Sequence, residues 1–209
     1  KGCKRIVYAS STAAYGNVTA PFRENGQMNP LNPYGESKKS LDEHTMSRAR
    51  DNLDIVIVGL RYCNVYGPYE NHKAKRASMI YQLAQQMVHG NPRIFKHGEQ
   101  KRDYIYVEDI VKGCLVLAGN LDRKEIHGEA FNFGIKNKVS VLELVNLILK
   151  LMKSNLKPVI LNEAKHEIKH QYLSSEKALK VLDWRAEYGL ESGLKKTIEW
   201  YINYFKHNP

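Results

Sequence analysis

The chain has 209 residues, 43% hydrophobic and 26% charged, a balance that excludes a disordered polymer and is sufficient for a buried core. Lysine and arginine number 32 against 22 acidic residues, a net charge of +10 spread along the whole sequence. Its short basic clusters, Lys73-Ala74-Lys75-Arg76 and Lys101-Arg102, are not interleaved with stacking aromatics, so the charge points to an anionic small molecule and away from nucleic acid.

No apolar run reaches the roughly 18 residues of a membrane-spanning helix, and the start, KGCKRIVYASS, has no signal-peptide pattern, so no membrane partner is expected. Cys3, Cys63 and Cys114 are too scattered for a disulfide framework or a zinc cluster, which makes a cytoplasmic setting the expectation. The eight histidines lack metal-ligand spacing, and no metal is expected.

Lys4 to Ala9 is a short β-rich run that reads as a buried strand, followed by the small polar residues Ser10-Ser11-Thr12. Residues 17–33 hold three prolines and four asparagines and read as a long loop. Tyr34 to Arg50 reads as a helix starting just after Pro33, with a polar face at Lys39, Asp42, Glu43 and Arg48. Asp54 to Leu60 is nearly all β-branched, the pattern of a strand covered on both sides. Further along come a helix (Ser78 to His89), a strand (Tyr104 to Val107), a helix (Val107 to Leu121) and a strand (Ala130 to Phe133). Ser140 and Glu143 make a capping box for the next helix. A strand at Pro158 to Leu161 and helices at Ser174 to Leu182 and Leu190 to Phe205 complete an α/β class.

Chemistry concentrates in Tyr34-Gly35-Glu36-Ser37-Lys38. On a helix, positions i and i+4 share a face, so Tyr34 and Lys38 point the same way. An ammonium beside a phenol favours the phenolate, the form that a general base needs. Ser10-Ser11-Thr12 follows a buried strand, and strand ends in α/β sheets face the ligand crevice. The polar groups of Arg61-Tyr62-Cys63-Asn64 follow the next strand and are expected on the same edge. Lys101-Arg102 places a basic pair just before a strand.

Together VYASSTAAYG, PLNPYGESK, RYCNVYGP, KRDYIYVEDIV, FNFG and YLSSEKALKVLDW resemble, in order and spacing, the extended short-chain dehydrogenase/reductases, specifically the NAD-dependent nucleotide-sugar epimerases and dehydratases. The resemblance implies a Ser11–Tyr34–Lys38 triad with Tyr34 as acid/base. It implies cofactor contacts from Tyr34, Lys38 and Val65, and substrate contacts from Ser11, Asn64, Gln82, Phe95 and Arg102, the last on the diphosphate. The stretch Asn64 to Lys73 is similar to that of ADP-glycero-manno-heptose 6-epimerases, which implies a second acid/base role for Lys73. The implied cofactor is NAD or NADP, the implied substrate a nucleotide-diphosphate sugar, and the implied assembly a homodimer through the helix starting at Tyr34. Cys63 would stand near the nicotinamide, where a buried inert thiol is the plainer reading.

The implied fold is the C-terminal part of a Rossmann-type parallel sheet (residues 1–66, with 102–134 returning to it) plus a smaller mixed α/β substrate-binding lobe (mainly 67–209). The family's glycine-rich phosphate turn has no counterpart here, so the sequence reads as the C-terminal two thirds of an enzyme. Rival readings are a UDP-glucose 4-epimerase, a nucleotide-glucose 4,6-dehydratase, and a non-catalytic sugar-nucleotide-binding fragment. Against dehydration stand Thr12 and Ala13, where that chemistry wants a carboxylic acid.

Overall fold

The computed structural model describes residues 3–94, 97–163 and 168–208, leaving out the side chains of Ala74 and Lys75. In chain order it contains β1 (Arg5–Ser11), α1 (Pro33–Asp51), β2 (Val56–Tyr62), β3 (Asn64–Tyr66), α2 (Met79–His89), β4 (Arg93–Ile94), β5 (Lys101–Arg102), β6 (Tyr104–Tyr106) and α3 (Val107–Asn120). There follow β7 (Ala130–Phe133), β8 (Val139–Ser140), α4 (Val141–Leu151), β9 (Val159–Ile160), β10 (His170–Gln171), α5 (Glu176–Leu182) and α6 (Leu190–His207). Among the described residues there are also three short 3-10 helices, Thr12–Ala14, Asn71–Arg76 and Lys124–Ile126.

β1, β2 and β7 form a parallel sheet in that order. The alternation of β2 explains its layers. Val58 and Leu60 turn to one side and pack with Ile110 and Leu117 of α3, while Arg61 turns to the other and meets α1. The strand is therefore covered on both faces, as its β-branched run predicts. β7 does the same: Phe133 packs on Trp184 with ring centroids 4.3 Å apart, and Asn132 points to the Tyr15 side.

A second core gathers α2, α4 and α6 around Tyr66, Ile94 and Tyr104. Its helices are strongly apolar on one side. α4 begins with the expected capping box, in which Ser140 Oγ accepts from the Glu143 N–H at 3.1 Å and the Glu143 carboxylate accepts from the Ser140 N–H at 2.7 Å.

Cys63 is the hinge between the two regions. β2 leaves the parallel sheet at Tyr62, and the chain re-pairs as β3 with β6, Asn64 opposite Tyr104. Burial raises the Cys63 thiol well above its ordinary value, in keeping with a packed, inert side chain. Lys101-Arg102 is itself a strand, paired with β10 and β8, and does not merely precede one. Among the described residues no helix is long and apolar enough to cross a membrane.

Candidate active site

Asn32 starts α1: its side-chain oxygen accepts from the Gly35 N–H at 2.8 Å, and Pro33 occupies the first turn, where its missing N–H costs nothing. Tyr34 is 56% exposed at this end of the helix. Lys38 lies one turn on; its Nζ donates to the Ala9 carbonyl at 3.0 Å and sits 5.8 Å from the centroid of the Tyr34 ring. The ammonium is thus anchored near the C-terminal end of β1 while it stands beside the phenol.

Ser11 closes β1. Its Oγ accepts from the Ala13 N–H at 3.1 Å and caps the 3-10 helix Thr12–Ala14. Gly35 lets that helix approach α1, because a Cβ there would lie 2.6 Å from the Ala13 carbonyl oxygen. One glycine therefore brings the ends of β1 and α1, with Ser11 and Tyr34, to the same edge of the sheet. Gly16, with φ +60, does a similar task in the following loop, which pairs with Asn29.

Beneath this edge lies an ion pair that the sequence reading misplaces. Arg61 was expected at the crevice and Asp42 on a polar face, yet they are 1% and 0% exposed. Arg61 Nε donates to Asp42 Oδ2 at 2.7 Å, and its Nη1 donates to the Tyr15 hydroxyl at 2.8 Å. Tyr15 in turn donates to Asn132 Oδ1 at 2.8 Å. The physical reason is the period of β2: Arg61 shares the face of Gly59, which α1 covers, so its charge must be paired internally. The network ties β2, α1, β7 and the segment after Ser11 into one frame.

The other predicted residues divide. Asn64, Val65 and Lys73 line one cavity of about 250 Å³, together with Glu70, Arg76, Ser78, Met79 and Tyr104. Asn64 Nδ2 donates to the Asp103 carbonyl at 2.7 Å, which fixes its orientation. Gln82 donates to the Ala77 carbonyl at 2.8 Å, within its own helix start. Arg102 Nη1 donates to the carbonyls of Lys101 and Ile168, at 3.0 and 2.7 Å, and so anchors the tail segment. Phe95 lies outside the described residues.

Asp103 connects the two regions. It is fully buried, and its carboxylate accepts from the N–H groups of Ile135 (3.3 Å), Asn137 (3.1 Å) and Leu173 (3.4 Å). Burial pushes its carboxyl up to about 6, against the pull of those donors. Asp103 was not singled out from the sequence, and Arg76 was noted only as part of the basic cluster Lys73-Ala74-Lys75-Arg76. Arg76 carried a readable signal, three residues after Lys73, but only for a reader who knew that the segment is a 3-10 helix.

The profile of the NAD dependent epimerase/dehydratase family matches residues 1–134. The chain belongs to this family. The UDP-glucuronate 4-epimerase of Thermodesulfobacterium geofontis is 32% identical over 205 residues, covering 95% of this chain and 59% of that protein. The ADP-L-glycero-D-manno-heptose-6-epimerase of Brachyspira hyodysenteriae is 36% identical over 154 residues, 72% of this chain and 47% of that one. Among solved structures, the Thermotoga maritima UDP-glucose 4-epimerase with UDP-glucose superposes with a TM-score of 0.88 at 30% identity, over 98% of this chain and 65% of its own. The chain thus spans about half to two thirds of the length of these epimerase-family members.

Proposed function

We propose that the chain forms the acid/base and substrate side of an enzyme that epimerises a nucleotide-diphosphate sugar with NAD or NADP, by transient oxidation and re-reduction. The observation that carries this reading is the Lys38 ammonium, fixed to Ala9 and aimed at the Tyr34 ring, at the C-terminal edge of a parallel sheet. Tyr34 accepts the proton of a sugar hydroxyl as that carbon is oxidised, and returns it on reduction. Lys38, fixed to the Ala9 carbonyl, holds its positive charge beside that phenol. Ser11, on the same edge, is the hydroxyl within the triad.

A nicotinamide cofactor would supply reversible hydride transfer to and from the sugar carbon, which would leave net redox at zero. The residues present fit its ribose and nicotinamide end: an ammonium and a phenol face outward beside β1. Within these 209 residues no glycine-rich turn follows a strand to hold the phosphates. A carboxylic acid for dehydration is lacking at the matching positions, since Thr12 carries a hydroxyl and Ala13 a methyl. A homodimer through α1 belongs to the same reading.

The test uses an intact enzyme that carries this chain, supplied with NAD and with UDP-glucose, UDP-glucuronate or ADP-glycero-manno-heptose. The reading expects an epimerised product from one of them and a loss of about 10²–10⁴-fold in turnover for Tyr34→Phe. Unchanged turnover in Tyr34→Phe contradicts it.

A further inference from the structure

Lys73 and Arg76 stand on the 3-10 helix Asn71–Arg76 and line the same cavity as Asn64 and Tyr104. A 3-10 helix has three residues per turn, so positions i and i+3 eclipse and the two cations share one face. Neither has an ion-pair partner among the described residues. The acid of the cavity, Glu70, is buried, and its carboxylate accepts the Ser78 N–H at 2.6 Å. Backbone, and not a cation, holds it. The lining thus carries two cations against one carboxylate.

The segment is also held at both ends. The Tyr201 hydroxyl donates to the Gly67 carbonyl at 2.6 Å where the loop leaves β3, and Ser78 caps α2 where it ends. Two unpaired cations on a pinned loop are preorganised for an anion, which then need not supply the ordering energy itself. At about 250 Å³ the cavity is below the roughly 300–1,000 Å³ of a whole small-molecule site, so it takes one part of a larger ligand.

We propose that Arg76, with Lys73, is a specificity-determining clamp for an anionic group of the sugar nucleotide. The proposal rests on the reading of the chain as the substrate side of a nucleotide-sugar epimerase. The guanidinium presents two parallel N–H donors to paired oxygens, and the ammonium adds a point charge. Such oxygens come from the diphosphate or from the carboxylate of a uronic acid, and both present the same chemistry. The clamp gives Lys73 a charge-recognition role in place of proton transfer.

The test is calorimetric titration of the full chain with UDP-glucose, ADP-glucose and UDP-glucuronate, for the unaltered protein, Arg76→Gln, Arg76→Lys and Lys73→Met. Neither the Arg76 nor the Lys73 side chain has a hydrogen bond or ion pair among the described residues, so the variants keep the unaltered melting curve. The expected result is a dissociation constant at least tenfold weaker in Arg76→Gln and Lys73→Met, partly restored in Arg76→Lys. Equal losses for glucose and glucuronate nucleotides assign the clamp to the diphosphate, and a loss confined to UDP-glucuronate assigns it to the carboxylate. Binding within twofold of the unaltered protein in Arg76→Gln overturns the clamp alone. If the unaltered chain binds none of the three, the nucleotide-sugar reading fails and the clamp with it.

Discussion

Tyr34 and Lys38 stand on a helix turn at the surface, next to a strand paired on one side by β2. Asn64, Lys73 and Arg76 surround a cavity whose loop is tied to α6 at one end and to α2 at the other. Both groups belong to the same proposed chemistry, yet among the described residues the second lines a cavity while the first is held by an anchor at Ala9. The contrast teaches that a reactive pair and a binding site are separate constructions. The Tyr–Lys pair needs a helix period and one fixed ammonium; a binding cavity needs converging elements and paired neighbours.

The largest expected effect breaks the frame under the exposed side. Asp42→Ala leaves Arg61 buried and uncompensated, which costs about 3–5 kcal/mol of stability in urea unfolding. Hydrogen exchange should then quicken in α1 and β2 while α4 and α6 keep their protection. Equal loosening of both regions would show that they unfold as one unit and weaken the comparison.

Asp103 probes the connection between the two sides. Its carboxyl is raised from the ordinary 3.8 to about 6, so the folded chain binds this proton more tightly than the unfolded chain. Its contribution to stability is therefore fully present below about pH 4 and is lost as the pH rises through 6. Relative to Asp103→Asn, the unaltered chain should gain on the order of 3 kcal/mol between pH 7 and pH 4. Parallel stability curves for the two proteins over that range would contradict the assignment.

A smaller effect sharpens the geometry at Tyr34. Gly35→Ala drives a Cβ against the Ala13 carbonyl and should cost about 1–3 kcal/mol, read as a lowered urea midpoint. The nuclear Overhauser contacts between the Thr12–Ala14 segment and α1 should weaken, while those around Asn64 persist.

These residues also mark what the sequence can and cannot reveal. The helix from Tyr34, the double-covered strand of β2 and the Ser140 capping box are local patterns, and each is found within a residue or two of its expected place. β4, β5, β8 and β10 are two residues long and exist only through pairing with distant partners, so no local pattern announces them. Asp42 looked like part of a solvated face because its partner is 19 residues away on a strand. The clue was Arg61 itself, a charge directly after the run Asp54 to Leu60 expected to be covered on both sides; the strand in fact continues to Tyr62, so the charge requires an internal counter-ion. The YxxxK spacing made Tyr34 and Lys38 legible, whereas the cavity around Lys73 and Arg76 depends on the conformation of a loop.

The most direct test of the central claim is calorimetry on this chain with two ligands side by side, UDP-glucose and NAD. A built substrate side without a phosphate-gripping turn predicts saturable binding of the sugar nucleotide and no saturation by NAD up to about 1 mM, where binding is worth about 4 kcal/mol. Micromolar binding of NAD by the chain alone would contradict the account.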